Sequence, residues 1–214
     1  MNLKDIKGKN PILLLLGQLV STLGSSMQLF ALSLYVLDTT QSATMFSNVI
    51  LLSMIPRIVL GPFAGVLADR VSRKKLIVIL DAIAGFLTFL FVALLYCNNG
   101  LSLTQIYIFT LLLGMITVLF EPATAAIIPD IVEKEQLATI NSVRRLILSF
   151  TTILAPLLGG ILYSQLGLLI VMVLNGISFF LSSISEMFIS VHKESVHKAK
   201  KNHFLNLLLR ALVF

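Results

Sequence analysis

Six apolar runs dominate this sequence, each long enough to bridge a lipid bilayer and each separated from the next by a few polar residues. They occupy 11–37, 43–68, 76–97, 103–128, 143–166 and 168–191. A bilayer core about 30 Å thick asks for about 20 mostly apolar residues per helical crossing, which each run supplies. Backbone amides in hydrocarbon need partners within the protein, so unbroken runs without strand-like alternation are helices and not barrel strands. The expected fold is an all-α membrane protein of six transmembrane helices. Composition agrees: 57% of the 214 residues are hydrophobic and 12% charged, and mean hydropathy is +0.97. A soluble domain does not hide that much apolar surface. The first run is too long for the core of a cleaved signal peptide and is read as retained. Residues 1–191 form the bundle, and 192–214 form a basic tail that reads as the start of a central linker or as a truncation scar.

The net charge of +6 does not indicate nucleic acid, because the basic residues are parcelled between apolar runs instead of sharing one surface. Lys4, Lys7 and Lys9 precede the first run; Arg70, Arg73, Lys74 and Lys75 fill the second connection; Lys134, Arg144 and Arg145 mark the fourth; Lys193, Lys198, Lys200 and Lys201 follow the sixth. The first, third and fifth connections hold neither Lys nor Arg. Such alternation places both termini in the cytoplasm by the positive-inside rule. The single cysteine, Cys97, allows neither an intrachain disulfide nor a thiolate metal cluster. His192, His197 and His203 have no metal-site spacing, and neither a phosphate-binding loop nor a hydrolytic constellation is present. No cofactor, metal or enzymatic activity is expected.

Grouped three and three, the runs repeat one element in their second members: Gly61, Pro62, Phe63, Ala64, Gly65 in one and Ala155, Pro156, Leu157, Leu158, Gly159 in the other. Proline removes a helical hydrogen bond and glycine admits a close neighbour. The two groups have opposite topology, so they read as inverted three-helix repeats. Coincidence between residues common in membrane helices is the competing reading.

Between the second and third runs, Gly65, Asp69, Arg70, Arg73 and Lys74 resemble the signature loop of the major facilitator superfamily, with Ser72 where that family usually has a second glycine. The resemblance implies half of a major-facilitator fold, with this loop gating against a carboxy-terminal half. Pro156, Gly159 and Gly160 are similar to the antiporter motif of drug exporters, Ala155 standing for its usual first glycine. Glu121, Pro122 and Ala123, then Pro129, Asp130, Glu135, Gln136, Leu137, Asn141 and Ser142, resemble the branch of macrolide-efflux and enterobactin-export proteins.

Ionisable groups at bilayer depth cost several kcal/mol unless paired or hydrated, so each is a candidate for function. Arg57 falls near mid-membrane, and Glu121 and Asp81 fall one to two turns from the basic side. Glu121 is the first choice for a proton carrier; Arg57 and Asp81 fit a transport role or an ion pair between helices equally well. Asp38 closes the first run at the other mouth, where a carboxylate is readily hydrated, and is a weaker proton candidate than Glu121. Gln18, Ser21, Ser25 and Gln28 recur at intervals of three and four, a polar stripe that suits a watery cavity better than helix packing.

The resemblance implies a secondary transporter half that exports a small organic compound, macrolide-like or siderophore, in exchange for protons. The implied partners are the lipid bilayer, the substrate, protons, and a second half or another copy of the chain. The alternative is a truncated, non-transporting membrane scaffold or remnant.

Overall fold

The computed structural model describes residues 8–191, apart from the side chains of Val66, Leu67, Asp69 and Arg70. Every regular element among the described residues is helical: α1 (Lys9–Thr40), α2 (Ala43–Arg70), α3 (Arg73–Cys97), α4 (Leu103–Ile131) and α5 (Leu137–Met187), with a 3₁₀ turn at Lys134–Gln136. Five helices are thus long and apolar enough to cross a membrane. In the tail, His192, His197, His203 and the apolar stretch 204–214 lie outside the described residues.

Local chemistry sets the helix ends. Helix starts leave amides without partners, and short polar side chains supply them. Ser42 Oγ accepts from the Met45 amide at the head of α2. At the head of α4, Ser102 and Gln105 form a reciprocal capping box. α1 ends on Gln41, whose left-handed backbone (φ 52) returns its amide to the Leu37 carbonyl at 2.8 Å.

α5 runs for 51 residues but is interrupted at Gly167, where φ 77 and ψ 171 are far from helical values. A side chain is strained at such a φ, and glycine is not. The chain reverses there. Ile140 and Ile189 both belong to the apolar cluster built with Leu14, Ile77 and Ile127. Leu168 belongs to the opposite cluster, with Val36, Leu95 and Phe109. α5 starts at Leu137, ahead of the expected 143, with Asn141 and Ser142 bonding the Leu137 and Ala138 carbonyls in its first turns, and Arg144 is accommodated within it: Nη2 donates to the Glu121 carbonyl at 3.1 Å. Arg144 and Arg145 therefore lie on a helix and not in a connection, and α5 stops at Met187, short of the expected 191.

α1 packs along α5, α2 along α4, and α3 against both α4 and α5. Small residues bring these backbones together, which is how helices associate where lipid removes the usual hydrophobic drive. Gly17 faces Ser182 and Ser185, and Gly24 faces Asn175 and Ser178. Gly85 lies under the Phe180 ring and Gly176 under Phe89, and the two rings stack 5.9 Å apart. One end of the bundle carries Lys9, Arg73 and Lys134 and is called the basic end; the other carries Asp38 and Cys97.

Candidate functional site

α1, α2, α3 and α4 line a partly open cavity of about 510 Å³, to which α5 adds Leu148, Thr152 and Phe179. The polar stripe of α1 lines it, with Gln18, Ser21, Ser25 and Gln28 on its wall. Helical spacing alone puts those four on one face. Gln28 is held: its Oε1 accepts from Asn175 Nδ2 at 2.8 Å, and Ser178 Oγ donates in turn to Asn175 Oδ1 at 3.0 Å. Gln18 is not held in this way, since its buried Oε1 lacks a partner. An amide oxygen left bare beside a cavity is an available acceptor.

Arg57 of α2 and Glu121 of α4 meet on the cavity wall as an ion pair, with side chains 63% and 38% exposed. The close approach of the two helices is made at Gly114, which sits against Pro56 and the Ser53 carbonyl. Arg144 adds a second cation near Glu121, through the bond to its carbonyl and by its charge. Glu121 thus stands between two guanidinium groups.

Asp81 of α3 has a different setting. It is 3% exposed, lines the same cavity, and has Ser182 of α5 beside it, while its Oδ2 has no hydrogen-bond partner. Glu186, one helical turn beyond Ser182 on α5, is fully buried and outside the cavity lining, with both carboxylate oxygens unpartnered. The two carboxyls interact electrostatically, and no described cation pairs with either. Glu186 is absent from the residues singled out by sequence. Its signal is the spacing of Ser178, Ser182 and Glu186 at intervals of four, a polar stripe on α5 that answers the stripe on α1.

The loop residues are only partly gathered. Arg73 Nη1 bonds Asp130 Oδ2 at 2.9 Å and the Ala126 carbonyl at 2.8 Å, tying the head of α3 to the end of α4. Gly65 is exposed, and a methyl group added there would meet nothing within 4 Å, while Lys74 is half-buried. The side chains of Asp69 and Arg70 lie outside the described residues. At the far end, Asp38 Oδ2 accepts from Tyr163 Oη at 2.7 Å in a separate pocket, which Tyr35 also lines. Pro156 is half-buried, Gly159 packs against the α1 backbone at Met27, and Gly160 meets the Phe30 ring at ordinary contact distance.

The family model described as Major Facilitator Superfamily matches residues 14–212. Macrolide efflux protein A of Streptococcus pyogenes is 29% identical over 178 residues, 83% of this chain and 44% of that protein. An uncharacterized MFS-type transporter of Bacillus subtilis is 28% identical over 182 residues, 85% of this chain and 42% of its own length. The Staphyloferrin A transporter of Staphylococcus aureus is 24% identical over 150 residues, 70% of this chain and 36% of that protein. The chain spans less than half the length of these relatives. With five long apolar helices, the matches describe a multi-pass protein of the cell membrane.

Proposed function

Because the chain belongs to the Major Facilitator Superfamily, we propose that it is the amino-terminal half of a secondary active transporter that exports a small organic compound in exchange for protons. The observation that carries this is the cavity: a polar stripe, an exposed Arg57–Glu121 pair and a buried carboxyl, Asp81, converge on one space inside an otherwise apolar bundle. Charge at bilayer depth is costly, and it is retained where it does work. The names of the macrolide and staphyloferrin relatives favour an amphiphilic or siderophore-like cargo over a nutrient for uptake.

We read α5 as two crossings, giving six helices in two inverted groups of three. The break at Gly167 and the return of Ile189 to the cluster of Ile140 support that count. The basic end is the cytoplasmic one, which Lys9, Arg73, Lys74, Lys75 and Lys134 support by the positive-inside rule. In this reading a second half, or another copy of the chain, closes the open side of the cavity. The bundle then rocks around it, with Gly65, Asp69, Arg70, Arg73 and Lys74 gating the cytoplasmic mouth and Pro156, Gly159 and Gly160 fixing one helix of the moving set. An exposed ion pair such as Arg57–Glu121 is weakly held, so a charged substrate group can replace either partner at little cost.

Two measurements test the reading. Vesicles carrying the chain with a second half should show proton flux on addition of substrate across a panel of amphiphiles; no flux with any of them overturns the exporter assignment. Cys97, the single cysteine and exposed at the far end, should react with a membrane-impermeant maleimide in intact cells. Labelling only after the cells are opened reverses the orientation.

A further inference from the structure

The exporter reading leaves open which group carries the proton, and the sequence favours Glu121. Its surroundings point elsewhere. Glu121 faces the Arg57 guanidinium directly, and the Arg144 charge lies near it. The Glu121 carboxylate already has a partner of opposite charge on a neighbouring helix, and a basic residue bonded to its own carbonyl. The Asp81 and Glu186 carboxyls are packed against α1, α3 and α5, and what faces them from each differs in kind. α1 brings Gln18, neutral, with Oε1 bare. α5 brings Ser182, also without a bond at Oγ. Two of the cations at this end are engaged elsewhere, Lys9 with the Phe188 ring, at 5.8 Å from its centroid, and Arg73 with Asp130, and no described ion pair joins Lys74, Lys75, Lys134 or Arg144 to either carboxyl.

Two carboxylates cannot both stay ionised in such a place. Each charge taken from water into the interior costs several kcal/mol, and here neither repays the other by attraction. Sharing a proton removes one charge and supplies a donor for an oxygen that otherwise has none. The positions differ in access: Asp81 lies on the cavity wall, whereas Glu186 is fully enclosed and outside the cavity lining.

We propose that Asp81 and Glu186 form the proton-loading site of the transporter, Asp81 exchanging protons with the cavity and Glu186 holding the pair's charge behind it. At rest the pair shares one proton and carries a single negative charge. Loading adds a second proton to Asp81 Oδ2 from cavity water, which makes the site neutral; unloading returns that proton to water. Glu186 is a positioning residue, because it touches neither substrate nor the cavity. The arrangement deepens the exporter reading and rests on it for the use of the proton, but not for its presence.

The test therefore separates the two. Infrared difference spectra of the 214-residue chain in lipid membranes, in light and heavy water, report protonated carboxyls whatever the chain transports. Wild type should show a protonated-carboxyl band at neutral pH that grows as the pH is lowered to about 6, still well above the value of about 4 at which ordinary Asp and Glu side chains take protons, rising from about one protonated carboxyl per chain toward about two. Glu121→Gln should leave both the band and its growth in place. In that same window Glu186→Gln should halve the intensity reached at about pH 6, and the double variant Asp81→Asn with Glu186→Gln should remove the band. These neutral side chains have the shape of protonated carboxyls, so the fold should persist, and an unchanged amide band in the same spectra checks it. A band that survives in the double variant between neutral pH and about pH 6, or is absent at neutral pH in wild type, overturns the pair as a proton site. In vesicles with the second half, Asp81→Asn should abolish proton-driven accumulation of substrate but leave exchange of labelled for unlabelled substrate. A wild-type band with no substrate-driven flux would instead sink the exporter reading; accumulation by Asp81→Asn at the wild-type level overturns the loading role.

Discussion

Pro62 on α2 and Pro156 on α5 open nearly the same local sequence, yet they meet opposite surroundings. On α2, Gly61, Pro62 and Gly65 are all exposed, and a methyl group added to either glycine meets nothing within 4 Å. On α5, Ala155 and Gly159 are buried, and a methyl group on Gly159 would stand 2.6 Å from the Met27 carbonyl oxygen and 3.1 Å from its α-carbon. One element is a closed joint between helices of this chain; the other is a bare surface. The same small-residue code therefore marks two kinds of contact, one made within the described residues and one that, if it is made, is made with something else. The fixed joint lies on α1, whose other side carries the polar stripe of the cavity, so Gly159 sets where that stripe stands.

The sharpest way to break this comparison is to enlarge Gly159. The colliding atoms belong to the α1 backbone, which cannot rotate away as a side chain would. Gly159→Val should destabilise the chain in detergent by about 1–3 kcal/mol, the range for overpacked interiors, and lower its yield from membranes. Thermal unfolding followed by helical circular dichroism checks it. A variant as stable as wild type would mean that α1 and α5 do not touch at Met27, and the contrast with α2 would vanish.

How much of this could be read from residues alone depends on what kind of signal each feature leaves. Helices are legible because burial in lipid writes them as long apolar runs, and the boundaries of α2, α3 and α4 fall within a few residues of those runs. The start of α5 is missed because Thr139, Asn141 and Ser142 resemble a polar connection, whereas Asn141 Nδ2 and Ser142 Oγ bond back to the Leu137 and Ala138 carbonyls of the same helix. The candidate residues divide similarly. The stripe on α1 is periodic, and periodicity survives in sequence. The meeting of Arg57 with Glu121, 64 positions apart, depends on how α2 and α4 pack at Gly114, which has no local pattern. Glu186 is hidden for a different reason: it closes a run so apolar and serine-rich that it reads as a helix end, until α3 brings Asp81 against it. A single acidic residue says little; its neighbour across the helix interface decides whether it is a charge or a carrier.

The smallest expected effect lies on the bare side. Glycine inside a helix costs about 0.5–1 kcal/mol relative to alanine, through the freedom it loses on folding. At Gly61 and Gly65 no contact of this chain offsets that cost, since the added methyl groups project into open space. Gly61→Ala and Gly65→Ala should each raise the stability of the isolated chain by up to about 1 kcal/mol, read as a modest upward shift in the same thermal unfolding curve. If a second half or another copy packs on this face of α2, the sign reverses when it is present: the methyl group then meets a neighbour, and association weakens while the isolated chain gains. A gain in both settings would show that α2 faces lipid at this point. A loss in the isolated chain would show that the surface is already covered, and the two proline elements would then be alike after all.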